Sequence, residues 1–250
     1  MEEFLRKLDQ GRKVTIVALG DSITELTWHT RGRLNWCGYL QEALFETYRR
    51  NRCWVINSGH CGDMAVEGFE RLEEDVDRFA PDLVIVSYGM NDYCHPIDEF
   101  REALCAILDR VREPCGAEVL LRTPNPIVNP PTDFILKAGQ KIGAETEGRH
   151  GALFAKTIAE VAREKRCPVV DHYISWKRLE ALRGTTSEEP NHLWLYMSDP
   201  VHPGPLGHLA FFRELAPLFR GPPVFPWEAV SGESVDHFRS MSQPGDVTDS

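Results

Sequence analysis

Five short apolar runs, each ended by polar turn residues, limit what this chain can fold into more than any other feature. They are Val14–Leu19, Trp54–Ile56, Leu83–Val86, Glu118–Leu121 and Pro168–Val170. Short runs of this kind read as strands buried on both faces, the pattern of a parallel sheet. Between them lie segments of helical length and spacing, over about 36–49, 64–78, 97–112 and 153–165. Further helices are expected over 174–182 and 206–219, after a charged lead-in over 1–12 that supplies at least one helical turn. Strand alternating with helix predicts an α/β fold, a five-stranded parallel sheet with right-handed crossovers placing helices on both faces. In open α/β sheets ligands bind at the carboxyl ends of the strands. The first three ends carry polar turns, Gly20–Ser22, Asn57–Asp63 and Ser87–Asp92, which should converge on one edge.

Composition narrows the function classes. With 42% hydrophobic residues in 250, the chain can bury one sizeable core. It carries 28 basic against 38 acidic residues, a formal charge of −10, which argues against a nucleic-acid partner. No apolar run approaches the roughly 18 residues of a membrane span. The first ten residues lack an apolar signal core, so a cytoplasmic protein with no membrane partner is expected. The seven cysteines, at 37, 53, 61, 94, 105, 115 and 167, form no Cys-x-x-Cys pair, so free thiols and no zinc knuckle are expected. Residues 1–220 read as one domain. Residues 221–250 read as an acidic, proline-containing tail, with five acids and one arginine over 228–250. Nothing in the sequence fixes an oligomeric state.

The loops carry chemistry. Acyl transfer by a serine needs a hydroxyl nucleophile, an imidazole to take its proton, a carboxylate to orient the imidazole, and donors for the oxyanion. Ser22, at the end of the first strand, suits the first role. Among nine histidines His202 stands out, because Asp199 lies three residues before it and Pro200 and Pro203 stiffen the backbone around the pair. Candidate oxyanion donors are the amides of Ser22 and Gly62 and the side chain of Asn91. Asp21 and Asp92 suit the bracing of their own turns. Asp63 suits a helix cap, whereas His60 either touches substrate or caps the same helix. Asp21, Trp28, His60, Tyr93 and Trp194 flank these loops and are candidate lining residues, though aromatic residues serve equally well as core. A metal set built from His60, Cys61, Cys94 and His95 would lack regular ligand spacing, and no metal is expected. Neither Gly-x-Gly-x-x-Gly nor a P-loop follows the first strand, which disfavours a nucleotide.

Four blocks in order resemble the SGNH, or GDSL-type, hydrolases. Gly20-Asp21-Ser22-Ile23 is similar to the first block, with Ser22 in the nucleophile's place. Asn57-x-Gly59-x-x-Gly62 is similar to the second and Gly89-Met90-Asn91-Asp92 to the third, with Gly62 and Asn91 matching oxyanion donors. Asp199-Pro200-Val201-His202-Pro203 is similar to the last, with His202 as base and Asp199 orienting it. The resemblance implies a flavodoxin-like three-layer α/β/α sandwich that hydrolyses a small-molecule ester with neither metal nor organic cofactor. Polar and aromatic residues alternate over 28–33 and 192–196, where a long acyl groove would want aliphatic lining. Short acyl groups, including acetyl esters of carbohydrates, are therefore expected. The alternatives are a thioesterase or lysophospholipase with a longer acyl groove, and a non-catalytic carbohydrate-binding relative of the fold.

Overall fold

The computed structural model describes residues 1–25, 28–48, 52–113, 116–128, 151–181 and 192–219. The tail expected over 221–250 lies outside the described residues. Strands β1 (Val14–Gly20), β2 (Cys53–Gly59), β3 (Leu83–Ser87), β4 (Glu118–Arg122) and β5 (Val169–Val170) form one sheet in the order β2-β1-β3-β4-β5. Every pairing is parallel. This is the flavodoxin-type order of a doubly wound sheet. At the carboxyl end of β1, Gly20 pairs with Gly59 on one side and Ser87 on the other. The three polar loops are thus brought together by register. The ladder runs past the apolar runs, through Asn57–Gly59 and Ser87, because backbone pairing rather than side-chain polarity sets where a strand ends.

Side chains alternate across the sheet, and each face has its own core. Val14, Ile16, Ala18, Leu83, Ile85 and Leu120 pack against helices α1 (Glu2–Asp9) and α3 (Trp36–Tyr48) and the chain's last helices. Val17, Leu19, Val84, Val86, Val119 and Leu121 face α6 (Ile97–Arg112) and α7 (Ala152–Glu164). The last helices are α8 (His172–Ala181), which contributes Trp176, and α9 (Pro205–Leu215), which contributes Phe211, Phe212 and Leu215. The result is a three-layer α/β/α sandwich. The charged lead-in is α1, whose Phe4, Leu5 and Leu8 are buried at helical spacing. In α6, Asp98 and Glu99 occupy the first turn and Arg110 and Arg112 the last, each favourable to the helix dipole. Where β4 ends, Arg122 is buried between the rings of Trp36 and Phe211, 4.4 Å from each.

The single helix expected over 64–78 is broken. The chain forms α4 (Ala65–Glu70), α5 (Leu72–Asp75) and a 3-10 turn, Asp77–Phe79, that ends on left-handed Ala80. Arg71 sits at the break with φ −98° and ψ 10°, and its side chain turns inward to the sheet edge instead of following the helix surface.

Candidate active site

Ser22 opens the short helix α2 (Ser22–Glu25), directly after β1. The turn between them is locked by Asp21, whose carboxylate accepts the Ile23 amide at 3.0 Å and whose carbonyl accepts the amides of Thr24 and Glu25. A Cβ on Gly20 would lie 2.8 Å from the Ser87 carbonyl, so glycine is needed there for close packing of β1 against β3. Ser22 is 3% exposed, and its Oγ lies 3.0 Å from His202 Nε2. The other edge of that imidazole faces Asp199, with Nδ1 2.8 Å from Oδ2 and 3.0 Å from Oδ1.

The Asp199–His202 unit is held by its own backbone. Asp199 Oδ1 accepts the amides of Val201 at 2.8 Å and His202 at 2.7 Å, which is what a three-residue spacing in a turn permits. The Ser198 amide donates to the His202 carbonyl, and Met197 bridges Pro203. The loop after β4 anchors the unit: the Val128 amide donates to Pro200, and Asn125 Nδ2 donates to the Val201 carbonyl. Burial works to raise the Asp199 pKa, but hydrogen bonds and charge from His202 outweigh it and hold the carboxyl below its usual value. The carboxylate is therefore an anion facing the imidazole edge.

On the opposite side stand the loops after β2 and β3. Gly62 has φ +87°, which favours glycine, in an exposed turn. Among the described residues the amides of Ser22 and Gly62 have no hydrogen-bond partner. Asn91 Nδ2 donates to the Asp63 carbonyl at 2.9 Å, so one amide hydrogen ties the third loop to the second. Asp92 braces the third loop from within by accepting the amides of Ala65 and Gly89, and burial pushes its carboxyl up to about 6.

Arg71 joins all three loops. It donates to the Gly20 carbonyl at the end of β1, the Ser58 carbonyl near the end of β2, and the Tyr88 hydroxyl in the third loop. It also pairs with the carboxylates of Asp63 and Asp75. Asp63 is thus Arg71's partner and not a helix cap; the amide that opens α4, that of Met64, is taken by Glu67. Nothing in the sequence distinguishes Arg71 from the surface charges around it. His29, also unassigned by the sequence, lies stacked on His202 with centroids 4.0 Å apart and planes 13° apart.

The candidate lining residues scatter. Asp21 is buried beneath its turn and does not line a cleft, and burial raises its carboxyl to about 7. Trp28 is 66% exposed and covers His29, ring centroids 3.7 Å apart. His60 is exposed with Nε2 3.1 Å from Asp75, while its amide donates to Gly20. Tyr93 is exposed on a 3-10 turn after Asn91, and Trp194 packs half-buried on the core. Among the described residues, His29, Asp199 and His202 could offer three donors to one metal ion. The two rings are nearly parallel, so their in-plane lone pairs run side by side and do not converge on one ion. The arrangement suits proton transfer from Ser22 better than ligation.

The GDSL-like Lipase/Acylhydrolase family model matches residues 18–210. No curated protein matches the chain in sequence. Among solved structures, the acetylxylan esterase Axe2 of Geobacillus stearothermophilus is similar with a TM-score of 0.66 at 19% identity, covering 84% of this chain and 95% of its own. An α/β hydrolase from the metagenome of Lake Arreo, Spain, has a TM-score of 0.66 at 19% identity, covering 85% of this chain and 97% of its own. The acetyl xylan esterase AlAXEase has a TM-score of 0.62 at 19% identity, covering 81% and 98% respectively. At that identity these structures establish the fold. The family match over most of the chain, on a sheet that brings its four blocks to one edge, places this protein in the GDSL-like lipase/acylhydrolase family of ester hydrolases.

Proposed function

We propose that this protein is a serine esterase that removes short acyl groups, acetyl above all, from a carbohydrate or similar polar alcohol. The observation that carries the reading is the relay Ser22 Oγ to His202 Nε2 at 3.0 Å and His202 Nδ1 to Asp199 at 2.8 Å. His202 takes the Ser22 proton as Oγ attacks the ester carbonyl. The amides of Ser22 and Gly62 and the free hydrogen of Asn91 Nδ2 receive the tetrahedral oxyanion. The alcohol leaves with the proton held by His202, and an acyl-enzyme forms on Ser22. A water that gives its proton to His202 then releases the acid. Asp199 holds the imidazole in the tautomer that leaves Nε2 free to accept. The catalytic domain spans 1–220 in this reading.

Two of the similar structures are acetylxylan esterases, which supports a sugar ester as substrate. The exposed indole of Trp28, separated from the catalytic imidazole by the ring of His29, suits the face of a sugar ring. Cys37, Cys53, Cys61, Cys105 and Cys167 are all free thiols, in keeping with a reducing, cytoplasmic setting. Among the described residues no helix is long and apolar enough to cross a membrane. The longer-acyl reading has in its favour a groove of about 520 Å³ between α4 and α6, where Met64, Val66, Phe69, Phe100 and Ala103 share the walls with Asp92, His95, Glu99 and Glu102.

The test has two arms. A serine-directed phosphonate should label Ser22, and Ser22→Ala should abolish both labelling and turnover of activated esters without unfolding the protein. The kcat/KM profile over acyl chains of roughly two to twelve carbons then decides the substrate, because each buried CH2 could contribute up to ~0.8 kcal/mol. A steep fall beyond butyrate is expected. Rising specificity through octanoate would favour the thioesterase or lysophospholipase reading. Neither labelling nor turnover of any ester would leave a carbohydrate-binding relative.

A further inference from the structure

His202 is gripped by Asp199 along one edge. An in-plane bond of that kind fixes how far the imidazole sits from the carboxylate but leaves its tilt about the bond loosely determined. The ring's face is covered by a second imidazole. His29, on the loop after α2, is 3% exposed and lies over His202 at 4.0 Å with planes 13° apart. Trp28 covers the outer face of His29, ring centroids 3.7 Å apart, so the column runs Trp28, His29, His202. His29 is itself anchored, with Nδ1 2.6 Å from Ser198 Oγ and 3.6 Å from Asp199 Oδ2. Among the described residues its Nε2 is buried without a hydrogen-bond partner. A buried N–H left without an acceptor is rarer than a bare lone pair, so the proton belongs on Nδ1, shared with Ser198.

We infer that His29 is a positioning residue for the base: its ring is the wall that sets the tilt of His202 toward Ser22, and its neutral face receives the imidazolium that forms in the transition state. The inference rests on the assignment of Ser22 and His202 as nucleophile and base. Burial, reinforced by the neighbouring His202, depresses the His29 pKa to about 4. It is therefore uncharged wherever an imidazole can act as base. The titratable groups around it are His202, Asp199 and, farther off, His208, which burial likewise holds neutral. A neutral aromatic face attracts a cation, and the attraction exists when His202 is protonated and is weak when it is not. Such an interaction lowers the barrier without tightening substrate binding.

Three variants separate the ring from the hydrogen bond. His29→Phe keeps a ring and loses Nδ1, His29→Asn keeps a polar atom near Nδ1 and loses the ring, and His29→Ala loses both. Each is assayed for kcat and KM on an aryl acetate, normalised to sites titrated with the phosphonate, and thermal unfolding reports stability separately. His29→Ala and His29→Asn should lose roughly ten- to a hundredfold in kcat per titrated site, as a misaligned catalytic group does, with KM within about twofold. His29→Phe should recover most of that loss whatever its melting temperature. Wild-type kcat in His29→Ala overturns the inference, as does rescue by Asn but not Phe, which would place the role in the Ser198 contact. Failure of the phosphonate to label the wild-type protein would instead overturn the assignment of Ser22.

Discussion

Replacing Arg71 with methionine keeps the apolar stem of the side chain and removes the guanidinium with every donor. The carbonyls of Gly20 and Ser58, the Tyr88 hydroxyl and the carboxylates of Asp63 and Asp75 each lose a partner. Hydrogen bonds to a charged group contribute about 1.5–3 kcal/mol each, and five would sum to roughly 7–15 kcal/mol. That sum overstates the cost, because the bonds share one cation and are not additive. Asp75 also keeps His60 at 3.1 Å, and water reaches the rim of a side chain that is 13% exposed. The cost of breaking one buried ion pair, about 3–5 kcal/mol, is the better guide. At about 2–4 °C per kcal/mol for a chain of this size, the melting temperature should fall by roughly 6–20 °C. Well below that temperature kcat should still drop about tenfold or more, since the turn of Ser22 and the loops that carry Gly62 and Asn91 lose their common anchor. Far-UV circular dichroism gives the first number and aryl acetate turnover the second. Arg71→Lys should recover little, because one ammonium cannot span five acceptors. A melting temperature within about 2 °C of wild type would refute the reasoning and leave Arg71 as a surface cation.

Asn91→Ala should cost about 10²–10³ in kcat with KM nearly unchanged; a loss confined to KM would make Asn91 a binding or turn residue. In Asp199→Asn the oxygen stays pinned to the amides of Val201 and His202, so the new NH2 faces His202 Nδ1 and drives the proton to Nε2. A loss of roughly 10³–10⁴ in kcat is expected, and one below about tenfold would contradict the tautomer argument. Asp21, raised to about 7 chiefly by burial, stabilises the fold below about pH 4, and that contribution is lost as pH rises through 7. Asp21→Asn keeps an oxygen for the Ile23 amide and cannot ionise. Relative to wild type it should gain roughly 2–4 kcal/mol between about pH 5 and pH 8, read by denaturant unfolding at each pH. His29 and His208, depressed to about 4 and 3, run in the opposite sense below about pH 6.5 and cancel in the difference. A gain that does not change with pH would mean that Asp21 keeps an ordinary carboxyl.

The sheet was legible because burial on both faces forces continuous apolar runs, and five of them leave few topologies. The Asp199–His202 pair was legible for a local reason, since three residues let an aspartate cap its own turn and still face the imidazole. Residues that act across distance were not. Arg71 lies between Glu70 and Glu73 in a stretch with helical spacing, and a side chain that turns inward leaves no trace in periodicity. His29 sits in a polar loop where a buried and an exposed histidine look alike. Asp21, which the sequence offers both as a turn brace and as lining, is the brace: the turn that brings Ser22's hydroxyl to His202 is made by burying the acid beside it.

The proposed nucleophile and base reach their meeting point by different routes through the chain. Ser22 and His202 stand 180 positions apart in sequence, and the 3.0 Å between them spans two separately built pieces. Ser22 and the loops that face it grow out of β1, β2 and β3, cross-tied by Arg71 at the centre of the sheet. Asp199 and His202 come as a prefabricated pair on a loop, hung from the chain that follows β4. The last strand before that loop, β5, has two residues. A fluctuation that lifts the loop leaves the carboxylate–imidazole pair intact and the sheet folded, yet it disconnects the enzyme. The place of His202 over Ser22 is therefore set by how that loop docks, through the Val128–Pro200 and Asn125–Val201 contacts, and not by the sheet itself.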